Sequence, residues 1–109
     1  MTFRVLLTDD AALDLAEIHD DIARRDSAEK AGYVLGQLQA VIESLAELPE
    51  RGAYPKELLV LGIHDYREIF FKPYRMVYRV INDCVYVYLI VDGRRDLNPL
   101  LQRRLVRSS

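Results

Sequence analysis

Apolar residues at the start of the chain alternate. Phe3, Val5 and Leu7 are interleaved with Thr2, Arg4 and Leu6, which is the period of a short strand. Thr8 then offers an N-cap, and Asp9 and Asp10 suit the positive end of a helix dipole. Ala11, Leu15, Ile18 and Ile22 recur at spacings of three and four, so they form one stripe on a helix of about four turns. Leu13 lies off that stripe and is a candidate partner contact, whereas His19 sits at its edge and reads as a boundary packing residue. Arg24 and Arg25 suit a last helical turn. Ser27 reads as the N-cap of a second helix with the stripe Ala31, Val34, Leu35, Leu38, Ile42 and Leu45, ended by Pro49 and Gly52. Two helices joined by so short a link pack as an antiparallel hairpin.

After Pro55 the period changes to that of strands. Leu58 to Leu61 is a short apolar run, followed by Tyr66 to Phe71, a turn at Lys72-Pro73, Tyr74 to Ile81, a turn at Asn82-Asp83, and Val85 to Val91. In the Tyr74–Ile81 run, Arg75, Val77, Arg79 and Ile81 share one face, and Tyr74, Met76, Tyr78 and Val80 the other. The last run is apolar on both faces, which places it inside the sheet. Asp96 can cap a final helix through Leu100, Leu101 and Leu105. The predicted fold is α+β: an N-terminal strand, an antiparallel helical hairpin packed on a mainly antiparallel twisted sheet of about four to five strands, and a short C-terminal helix. The second face of the sheet must be covered or polar.

Composition narrows the class. The 109 residues support one domain spanning 1–109 with a single compact core. No apolar run approaches membrane-span length, and the N-terminal run is too short for a signal peptide, so a cytoplasmic location without a membrane partner is expected. Cys84 has no second cysteine to pair with and no histidine near it in sequence, which points to a structural strand residue. Two histidines and one cysteine are too few for a four-ligand zinc site, so neither a metal nor a small-molecule cofactor is expected. The net charge of −2 hides an asymmetry: residues 1–50 carry −7 and residues 51–109 carry +5. A basic C-terminal half fits an anionic partner, or attraction between the two halves of the chain.

Three stretches carry a resemblance: Asp65-Tyr66-Arg67-Glu68-Ile69, Pro73-Tyr74-Arg75-Met76-Val77-Tyr78-Arg79-Val80 and Val91-Asp92-Gly93-Arg94-Arg95-Asp96-Leu97. With the helical pattern Asp14 to Ile22, and in this order, they resemble the RelE/ParE superfamily of toxins over about residues 2–105. The resemblance implies the toxin of a type II toxin–antitoxin pair, held by a cognate antitoxin that docks on hydrophobic surface left by the single sheet. RelE-like members cleave mRNA on the ribosome, whereas ParE-like members block DNA gyrase.

For a nuclease, the matching sheet positions supply the candidate catalytic cations Arg67, Arg75, Arg94 and Arg95, which can hold phosphates bidentately. RNA cleavage also needs proton transfer, and arginine shuttles protons poorly at neutral pH. The matching C-terminal stretch, Asn98-Pro99-Leu100-Leu101-Gln102, holds neither Tyr nor His. Lys72, Arg79, Arg103, Arg104 and Arg107, with Leu13, are candidate nucleic-acid or partner contacts. The arginines also have carboxylates at hand in Glu68, Asp92 and Asp96. Tyr66, Tyr74, Tyr78, Tyr86 and Tyr88 read either as a base-stacking surface or as half-buried sheet residues. The long hairpin and the missing Tyr or His favour a ParE-like gyrase inhibitor over a RelE-like ribosome-dependent endoribonuclease. An inactive or nucleic-acid-binding relative is the further alternative.

Overall fold

The computed structural model describes residues 2–107. Strand β1 (Arg4–Leu7) leads into α1 (Asp9–Arg25), α2 (Ala28–Glu43) and a 3-10 turn (Ser44–Ala46). A short helix α3 (Lys56–Leu59), strands β2 (Arg67–Phe71), β3 (Tyr74–Ile81) and β4 (Cys84–Asp92), and helix α4 (Leu97–Arg107) complete the chain. Both expected N-caps form: Thr8 accepts the Ala11 N–H at 3.1 Å, and Ser27 accepts the Lys30 N–H at 3.0 Å. Asp96 does the same for Asn98 at the start of α4.

The sheet has four strands in the order β1-β4-β3-β2. β2, β3 and β4 form the expected antiparallel meander, and β1 joins the far side of β4 in parallel. The Leu58–Leu61 run adds no strand. Pro55 starts a helical turn there, in which the Leu58 and Leu59 N–H groups both donate to its carbonyl. Leu58 is buried, whereas Leu59, Val60 and Leu61 are exposed.

Two cores result. The hairpin packs its stripes (Ala11, Leu15, Val34, Leu38, Ile42, Leu45) on Ile69, Met76, Tyr78, Val85, Val87 and Ile90. On the opposite face Leu58, Val77, Leu89 and Val91 meet Leu97 and Leu101 of α4. The chain thus covers much of its own second face, rather than leaving an open apolar sheet for a partner. β4 is buried from both sides, which is why its sequence shows no alternation. A register shift opposite Val77 and Tyr78 pairs Leu89 with Val77 and Val87 with Tyr78, leaving Tyr88 as an extra residue. That bulge swaps the parity of β4, so odd residues face the hairpin before it, and even-numbered Ile90 does so after it.

Candidate functional site

The four arginines that a nuclease reading needs do not converge. Arg75 comes from the middle of β3 and is 8% exposed. Its Nε donates to Glu68 Oε1 at 2.7 Å, across the β2–β3 ladder. Its Nη1 and Nη2 form a fork with Glu57 of α3, both at 2.9 Å. The hydrogen bonds of Glu57, with those of Glu68, hold Arg75 above its ordinary pKa despite burial. Arg75 in turn holds Glu57 below the usual carboxylate range. Glu68 is pushed up, because its desolvation outweighs its share of the one cation. The triad therefore pins α3 to the sheet and commits most of the guanidinium donors.

Arg67 and Arg79 lie in a separate cleft of about 390 Å³, with Glu50, Tyr54, His64, Asp65 and Val80. The Arg67 guanidinium sits 4.6 Å from the Tyr54 ring centroid and donates to the Gly52 carbonyl at 2.9 Å and the Tyr54 hydroxyl at 3.2 Å. Arg79 lies 5.6 Å from the Tyr66 centroid and pairs with Asp65 at 3.3 Å. His64 packs edge-on to Tyr54, with Nδ1 3.2 Å from the Gly62 carbonyl. Sequence reasoning did not place this imidazole beside the two arginines, because the contact depends on how the loop after α3 folds back over Tyr54.

Arg94, Arg95 and Arg104 line a third feature, a groove of about 700 Å³ between α1, the end of β4 and α4. Arg94 is exposed and grips Asp92, and the hydrogen bonds it supplies hold that carboxyl down at about 2. Arg95 is exposed and its guanidinium holds no hydrogen bond among the described residues. Arg104 is largely enclosed: it pairs with Asp14 at 2.7 Å and with Asp10 at 3.7 Å, and donates to the Tyr88 carbonyl at 2.9 Å. Burial works against its charge, but these carboxylates raise its pKa.

Lys72 is exposed in the β2–β3 turn, and Arg103 is exposed on α4. Leu13 is 59% exposed on α1. The Arg107 side chain lies outside the described part of the structure. The tyrosines do not make one stacking surface. Tyr78 is fully buried with its hydroxyl accepting the Gly52 N–H, and Tyr88 is buried edge-on to Tyr66. Tyr74 packs against the hairpin core.

Residues 5–97 match the family model for the ParE toxin of the type II toxin–antitoxin system parDE. The chain is 26% identical to Toxin ParE3 of Caulobacter vibrioides over 101 residues, covering 93% of this chain and 97% of the relative. In fold it is similar to a chain from the chromosomal ParDE toxin–antitoxin system of P. aeruginosa. The TM-score there is 0.71 at 19% identity, over 84% of this chain and 96% of that one. It is also similar to a mutant of the E. coli toxin RelE in its free state. That match has a TM-score of 0.65 at 17% identity and covers 98% of both chains.

Proposed function

The chain belongs to the ParE family of toxins of type II toxin–antitoxin systems, and we propose that it arrests growth by binding DNA gyrase and is neutralised by a cognate antitoxin. The observation that carries the reading is the state of Arg75. A phosphate-binding cation on a nuclease sheet must present free N–H groups to the substrate. Arg75 instead spends its donors on Glu57 and Glu68, within a buried cluster that carries two carboxylates. An RNA backbone arriving there would meet excess negative charge. Arg67 lies in one other feature of the surface and Arg94 and Arg95 in a second, so the four matched cations do not gather around one phosphate. A protein that acts by binding needs no such set. The test is DNA supercoiling by purified gyrase: micromolar toxin inhibits it, and the antitoxin encoded beside the toxin restores it. Full supercoiling at that concentration would refute the gyrase reading.

A RelE-like endoribonuclease is the second reading, and one arrangement favours it. His64 lines the same cleft as Arg67 and Arg79, and an imidazole is the kind of proton-transfer group that the C-terminal stretch lacks. Primer extension on translated mRNA after induction separates the two readings, since new cleavage sites arise only from a nuclease.

A further inference from the structure

β1 has four residues and β4 has nine, so β1 covers only the first part of β4, ending where Leu7 faces Val87. There the chain turns away into α1, and the rest of that side of β4 has no neighbouring strand among the described residues. The direction of the exposed groups follows from their alternation. The Gly93 N–H points toward β3, where it donates to the Pro73 carbonyl at 2.7 Å. The Ile90 N–H points the other way, to Asp14 Oδ2 at 2.9 Å. Ile90 and Asp92 therefore both face the vacated side. Asp14 and Arg104 take up the Ile90 N–H and the Tyr88 carbonyl. Among the described residues, the Ile90 carbonyl and the Asp92 N–H remain as an acceptor and a donor, spaced as a ladder requires. They form the floor of the 700 Å³ groove, whose walls include Glu17 and Ile18 of α1 and Arg95 and Leu100 on the α4 side.

We propose that this lane receives an extended segment of the antitoxin, which adds to the sheet as a strand beside Ile90–Asp92. The inference rests on the toxin–antitoxin reading above and names the main-chain contact within it. Three features select this occupant. Free main-chain groups recognise another main chain, the basis of strand addition. The edge is recessed between α1 and α4, so the equally recessed edge of a second copy cannot reach it, whereas a single extended chain can. The walls carry both signs of charge, which disfavours a polyanion. The segment that fits has apolar residues alternating toward Ile18 and Leu100, with an acidic residue for the Arg95 guanidinium.

The test uses the toxin alone and its complex with the antitoxin encoded beside it. In the complex the Asp92 amide exchanges with solvent at least ~100-fold more slowly than in the free toxin. Asp92→Pro deletes this N–H without removing a bond to β3, and it weakens the complex at least ~10-fold relative to Asp92→Ala, which loses the side chain alone. Unchanged exchange at Asp92, or antitoxin residues that are helical in the groove, overturns the added strand while the toxin–antitoxin reading stands. Equal affinity of the two variants does the same. Failure to form any complex overturns both.

Discussion

At the scale of single residues, the buried triad divides its two carboxylates. Glu57 is held down by its fork with Arg75, so it contributes stability above the ordinary glutamate value of 4.5 and loses it as pH falls through its lower folded value. Glu68 has the opposite sign. Its folded pKa is raised, so its contribution is complete below 4.5 and is lost as pH rises through the folded value. Urea unfolding between pH 4 and 7 therefore separates two isosteric variants. Glu57→Gln loses stability at pH 7, while Glu68→Gln keeps or gains it and flattens the pH dependence. Equal losses would contradict this division of charge. Gly52 makes a second residue-scale case. A Cβ there would sit 2.6 Å from the Glu68 carbonyl oxygen and 2.7 Å from the Tyr78 hydroxyl, whereas at Gly36 in α2 it would meet nothing within 4 Å. Gly52→Ala should cost about 1–3 kcal/mol by overpacking, and Gly36→Ala should gain up to about 1 kcal/mol from helix propensity. Thermal unfolding of the two variants measures both.

At the scale of elements, α4 is held by apolar contacts from Leu97 and Leu101 and by a polar latch at Arg104. Arg104 ties α4 to α1 through Asp14 and to β4 through the Tyr88 carbonyl, while Asp14 also satisfies the Ile90 N–H. The bulge at Tyr88 thus has its main-chain groups met by a side-chain pair rather than by a strand. Arg104→Ala leaves Tyr88 and Asp14 without that donor, at a cost of about 1–3 kcal/mol. Hydrogen exchange should show α4 amides losing protection ahead of those in β3. Uniform loss across the sheet would mean that the latch does not act on α4 in particular.

At the scale of the whole molecule, the sheet is a single layer between two unequal covers. The hairpin covers one face along its length, and α3 and α4 cover the other in part. Deleting residues 97–109 would bare Leu58, Val77, Leu89 and Val91. The shortened chain should bind a hydrophobic dye and associate at micromolar concentration, as exposed apolar patches of that kind do. A monomeric product without dye binding would show that this second core is dispensable.

Most of the element boundaries were legible in local chemistry. Caps at Thr8, Ser27 and Asp96, the 3–4 spacing of the two helical stripes, and the turns at Lys72-Pro73 and Asn82-Asp83 act over a few residues, so sequence carries them directly. The family signature was legible for the same reason. The Leu58–Leu61 run misled because four apolar residues fit a strand or a helical turn equally well, and the Pro55 carbonyl decided it. The site was hardest to read. A sequence shows how many arginines and carboxylates there are, but not their partners. Pairing Arg75 with Glu57, His64 with Tyr54, and Arg104 with Asp14 joins residues 10 to 90 positions apart. Only the packed sheet, with its bulge and its short first strand, fixes which charges neutralise each other and which stretch of β4 stays open.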